Sequence, residues 1–207
     1  MNIKGTFLTI TKSTVIAAFG LEKWNNFMVK MVEKDKYFKD NVIVTVTLVP
    51  VEKSILLLDG VIDEFFNGDK KNSYVLFGRI AAKFALSEGG FYHYLMQTKD
   101  LKTFVETNLP KIWSIHFDGG FVTARLENNS VLINITDFPV KNQYYEGFIT
   151  AYYRQVLKIF GRKSTETIVR SLSAGKNDLL IKYVLSARTS WTKKVPRGRG
   201  QSSLTIE

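Results

Sequence analysis

The chain has 207 residues, 45% of them hydrophobic, and a formal net charge of +10. It has no cysteine and only two histidines, which excludes disulfides, thiolate metal sites, iron–sulfur clusters, a cysteine nucleophile and a three-histidine zinc site. No apolar run reaches the roughly 18 residues of a membrane span. A core of one large or two small domains is expected.

The opening MNIKGTFLTITKS lacks the continuous apolar stretch and small-residue cleavage site of a secretory signal, so a cytoplasmic location is expected. Ala17, Ala18 and Phe19 close an apolar segment that stops at Gly20, a residue suited to a helix end. Trp24, Phe27, Met28 and Met31 then recur at helical spacing over 21–34. VIVTVTL, 42–48, is rich in β-branched residues and reads as a strand or an extended connector. Pro50 suits the first turn of a helix that sets Ile55, Leu58, Ile62 and Phe65 on one face and breaks at Gly68 and Asp69. SYVLFGRIAAKFAL is the next helix; Gly78 within it implies close approach of a neighbour, and Gly89 and Gly90 end it. Shorter helices are expected over 91–97 and 100–106, with Asp100 as an N-cap. Pro110 opens the turns that carry Trp113 and His116.

The period then changes. FVTARL, 121–126, and VLINI, 131–135, read as strands joined by the turn ENNS. Between Asn142 and Phe160, the residues Tyr145, Phe148, Ile149, Tyr152, Val156 and Ile159 mark an amphipathic helix that Gly161 stops. TETIVRSLS and DLLIKYVLSA form a second hairpin around AGKN. The order predicts an α+β fold: a helical N-terminal half packed on a C-terminal four-stranded antiparallel sheet in the order β-β-α-β-β, the helix covering one sheet face. We expect a single domain over 1–190, with 1–118 helical and 119–190 forming the sheet part, followed by a flexible basic tail over 191–207.

Little in the residues points to catalysis. SEGG and FDGG are not phosphate-binding fingerprints, and GxSxG, HExxH and GxxxxGK[ST] are absent. Asp59, Asp63 and Glu64 share a helix and read as a solvated face. The charge is not confined to the tail: without residues 193–207, 25 basic residues still face 18 acidic ones. That balance favours anionic partners but serves solubility equally well. Lys193, Lys194, Arg197 and Arg199 of the tail are candidate contacts to a partner or, less favoured, to nucleic acid.

Several segments, in order, carry a resemblance: IKGTF from residue 3, FG at 19–20, FGRIAAKF at 77–84, DLKTFVETNLPKIWSIHF at 100–117 and YYEGFITAYYRQVLKIFG at 144–161. Together they resemble the haem-nitric-oxide/oxygen-binding (H-NOX) domains and their haem-free relatives, and the layout is similar to vinyl-reductase-type small-molecule-binding domains. The resemblance spans about residues 1 to 190. In gas-sensing members, it implies, a histidine after the helical lead-in coordinates iron and a Tyr-x-Ser-x-Arg motif downstream holds the haem propionates. Here the matching position is Ile112 or Trp113, with His116 about a turn beyond. No Tyr-x-Ser-x-Arg follows, and no arginine lies between Arg125 and Arg154, so a propionate pair would lack its bidentate partner.

The resemblance therefore implies a haem-free branch with no cofactor and no metal. It also implies a cavity between the helical half and the inner sheet face. Phe84, Tyr92, Phe104, Trp113, His116, Phe148 and Tyr152 are the candidates for lining it, although aromatic residues at helical spacing are usually core. The leading expectation is a non-catalytic sensor or interaction domain that binds a small apolar ligand or a protein partner. A haem-based gas sensor using His116 or His93 is one alternative. A dimerising scaffold that docks through its basic tail is another, and a homodimer is the expected assembly.

Overall fold

The computed structural model describes residues 1–98, 100–140, 142–172 and 178–186. The expected tail contacts Lys193, Lys194, Arg197 and Arg199, and the AGKN turn, lie outside the described residues. The chain opens with β1 (Asn2–Lys4), α1 (Thr6–Phe19), α2 (Leu21–Lys34), α3 (Tyr37–Asp40), β2 (Leu48–Pro50), α4 (Val51–Phe65) and α5 (Lys70–Leu86). A 3₁₀ turn (His93–Met96) leads to α6 (Leu101–Thr103), a π-helical turn (Phe104–Asn108) and α7 (Leu109–His116). The rest is β3 (Phe121–Glu127), β4 (Ser130–Thr136), α8 (Gln143–Ile159), β5 (Ser164–Arg170) and β6 (Leu179–Leu185). This is the helical half and four-stranded antiparallel sheet that the periodicity predicted, with strand order β3-β4-β6-β5.

Local chemistry places the boundaries. Gly20, at φ 95°, separates α1 from α2 and offers its N–H to the Ile16 carbonyl. Asp69, Asp100 and Asn142 each accept a backbone N–H at the start of a helix, so three helix starts carry a side-chain cap. Asn128, at φ 51°, turns β3 into β4. Pro50, expected in the first turn of α4, sits one position earlier as its N-cap. The β-branched run 42–48 is mostly connector, because only Leu48 pairs, opposite Lys4. Thr45 and Thr47 carbonyls accept from Thr6 and Gly5 instead, which draws the loop along the start of α1. The helix expected over 91–97 shrinks to the single 3₁₀ turn.

Two layers of packing position the interior. Val131, Ile133 and Ile135 of β4 and Leu179, Ile181 and Tyr183 of β6 form the fully buried face of the sheet. Across that face runs α8, anchored where the Tyr183 hydroxyl donates to the Thr150 carbonyl at 2.8 Å. Glu146, buried on α8, accepts from the Ser171 hydroxyl and the Leu172 N–H, both at 2.8 Å. The other side of α8 meets α5. A Cβ on Gly78 would sit 2.3 Å from the Phe148 carbonyl oxygen, so only glycine allows the two backbones this close. Among the described residues, no helix is long and apolar enough to cross a membrane.

Candidate functional site

Between α1, α5, α7 and α8 lies a cavity of about 40 Å³. Ile3 of β1, Phe7 and Ile10 of α1, and Ala81 of α5 form one side. Ile112, Trp113 and His116 of α7, with Phe117, form another. Phe148, Ile149, Tyr152 and Tyr153 of α8 close it. No residue of the four-stranded sheet lines the cavity, which corrects the expectation that it would lie against the inner sheet face. Tyr183 and its neighbours fill that face, and α8 stands between it and the cavity.

A long-range clamp holds the wall together. The Asn2 backbone N–H and side-chain amide donate to the Asp118 carboxylate at 2.5 and 2.6 Å, just past the end of α7. These bonds also hold the Asp118 carboxyl below the usual carboxylate range. Ile3 bridges to Phe117. The start of the chain is thereby fixed beside α7, and Ile3 and Phe7 become cavity residues. Trp113 is oriented by its Nε1–H, which donates to the Gly119 carbonyl at 3.0 Å, and by stacking on Phe117 at 4.1 Å.

His116, the last residue of α7, shares a hydrogen bond of 3.0 Å between its Nε2 and the Tyr152 hydroxyl. The Tyr92 ring meets the imidazole edge-to-face at 5.4 Å and 89°. Burial, with the Lys4 charge as a lesser contribution, pushes the His116 imidazole down to about 4. Burial likewise raises the Tyr152 phenol, with Tyr153 and Tyr92 adding to it. At neutral pH the pair is an uncharged imidazole and an uncharged phenol, each answering the other in an apolar wall. Tyr153, also in this wall, has a buried hydroxyl without a hydrogen-bond partner.

The seven cavity candidates divide. Trp113, His116, Phe148 and Tyr152 line the cavity. Tyr92 stands behind His116 rather than in the wall. Phe84 is 49% exposed on α5 and faces Phe91 at 6.3 Å; the Gly89–Gly90 turn brings that ring back to the surface. Phe104 is fully buried but stacks on Phe160 at 4.0 Å, because the π-helical turn that it begins directs it to the end of α8. His93 directs Nδ1 to the Leu86 carbonyl at 3.0 Å, at the end of α5 and outside the cavity lining. Sequence reasoning missed the other eight lining residues, Ile3, Phe7 and Ala81 among them. Ala81 carries no aromatic signal, and Ile3 and Phe7 reach the site through contacts more than a hundred residues away in sequence.

The lining does not fit a haem. A site for a ligand of that class spans on the order of 300–1,000 Å³, well above the volume found here. Tyr152 holds the His116 Nε2, and no lysine or arginine stands in the wall to meet a propionate. Among the described residues, no cluster of three or more histidine, aspartate or glutamate side chains is arranged to hold a metal.

Neither a family model nor a curated relative matches the sequence. Solved structures do. A variant of the H-NOX protein from S. oneidensis in the Fe(II) ligation state aligns with a TM-score of 0.66 at 12% identity, over 91% of this chain and 98% of that one. The Fe(II) unliganded H-NOX protein from K. algicida aligns at 0.63 and 12%, over 89% and 97%. A single-residue variant of Tt H-NOX aligns at 0.64 and 14%, over 93% and 100%. At such identities the likeness is one of architecture, and its conclusion is that the chain has an H-NOX-like α+β fold.

Proposed function

We propose that the protein is a non-catalytic, haem-free sensor or interaction domain, allied to the haem-free relatives of H-NOX and to vinyl-reductase-type domains, whose cavity takes a small apolar ligand. One observation carries the reading: an apolar cavity of about 40 Å³ whose histidine is bonded to a tyrosine rather than left free for a ligand. One water needs about 10–15 Å³ on this measure, so the space suits a molecule of roughly three water-sized atoms, and an apolar wall repels water itself. The cavity touches α1, α5, α7 and α8 together. A ligand wedged there acts on how α7 sits against α8, and α8 is the helix bonded to the sheet. Such a ligand shifts the arrangement only if it binds two arrangements unequally; a protein partner that reads the shift completes the sensor.

Xenon, an apolar probe of suitable size, tests this reading through backbone amide shifts in NMR spectra. The expected result is saturable shifts at Ala81, Ile112 and Ile149, abolished in Ala81→Val, whose added carbons occupy the space. Shifts scattered over the surface, or unchanged in Ala81→Val, would overturn the reading.

A haem-based gas sensor is the second reading. It draws on the Fe(II) forms among the structural neighbours and on the place of His116 at the cavity wall. It requires the cavity to open several-fold and Tyr152 to leave the imidazole. Haemin added to the protein distinguishes the two readings.

A further inference from the structure

On another face of α5 and α8 lies a larger groove, about 550 Å³. Arg79 and Lys83 of α5 line it, four residues apart and so on one helix face. Arg154 and Lys158 of α8 line it from the other side with the same spacing, and Lys163 closes the end before β5. No carboxylate belongs to the lining. Among the described residues, only Arg154 of these five forms an ion pair, with Glu166 at 3.0 Å. The apolar side chains Leu76, Ile80 and Ala151 lie between the cations. Ser164, 8% exposed, stands in the wall with a buried hydroxyl that has no hydrogen-bond partner.

A merely solvated basic face has no need to gather like charges in a concavity, where they repel one another. Five cations lining one groove, four of them outside any ion pair among the described residues, are what a multiply charged oxyanion requires, since it accepts many charge-assisted hydrogen bonds at once. The volume falls within the range of small-molecule sites, and the apolar wall gives a non-ionic part of the ligand somewhere to lie. We infer that this groove binds a phosphorylated small molecule, its phosphates on Arg79, Lys83, Lys158 and Lys163 and its remainder against Leu76 and Ile80.

Isothermal titration of the full chain with inorganic tripolyphosphate at physiological ionic strength tests the site. The expected result is saturable one-to-one binding that weakens about tenfold or more in Arg79→Ala/Lys158→Ala, as loss of two charge-assisted contacts implies. Replacing Lys193, Lys194, Arg197 and Arg199 together by alanine removes twice the charge of the groove variant and is expected to leave binding unchanged. Thermal melts establish that each variant is folded; the groove cations are surface side chains, so their loss spares the core. Absence of saturation in the wild type would overturn the assignment. So would equal weakening in the tail variant, or binding of a single-stranded oligonucleotide with none of tripolyphosphate.

Discussion

The cavity and the groove share two helices and differ in almost everything else. On one face, Ala81 of α5 and Ile149 and Tyr152 of α8 help to line a small apolar space in which the one histidine is neutral and bonded. On the other, Arg79, Lys83, Arg154 and Lys158 border a wide space open to water. The helical repeat does this without any special device, since residues two positions apart on an α-helix, such as Arg79 and Ala81 or Tyr152 and Arg154, face different ways. The lesson is that the close α5–α8 contact serves two environments at once. A change in the seam between them is therefore felt on both sides, whereas a change on either face stays there.

Gly78→Val attacks the seam and carries the largest expected effect. The new side chain meets the Phe148 carbonyl, the helices must part, and unfolding in urea is expected to show a loss of more than about 3 kcal/mol. Acid sharpens the comparison from the cavity side. His116 is held at about 4 in the folded protein against 6.5 as its ordinary value. Its folded form thus binds fewer protons than the unfolded chain. Its contribution to stability is complete above the unfolded value and is lost as pH falls from there towards the folded one. The loss amounts to roughly 2 kcal/mol by about pH 5, and a His116→Phe variant is expected to show a flatter profile over that range. Tyr152→Phe leaves the imidazole without its partner and is expected to cost about 1–2 kcal/mol. The smallest effect belongs to the groove: Lys83→Glu places a carboxylate one turn from Arg79 and is expected to raise stability by a few tenths of a kcal/mol, while leaving the His116 acid profile untouched.

Much of the architecture was legible because its signals are local. The spacing from Tyr145 to Ile159 defines α8, Asn142 caps it, and ENNS holds the Asn128 that turns β3 into β4. The Gly78 expectation was also met, since a glycine inside a helical pattern has few other uses. The cavity was legible only in part. Trp113, His116, Phe148 and Tyr152 lie on helices whose period was plain. Phe84 and Phe104 misled because an aromatic side chain advertises burial without saying against what: one pairs with Phe91 at the surface, the other with Phe160. Ile3 and Phe7 gave no signal, because what brings them to α7 is the Asn2–Asp118 pairing across the chain. The groove did have a signature, basic residues four apart in both FGRIAAKF and YYRQVLKIF. Each pair alone looks like any solvated helix face, and only the packing of α5 on α8 makes them one surface.

The absorbance spectrum of the protein mixed with an equivalent of haemin tests the central claim most directly, that the histidine of the cavity is a bonded wall residue and not an iron ligand. The account predicts no stoichiometric Soret band that depends on His116. A Soret band at one haem per chain, lost in His116→Ala, would contradict it.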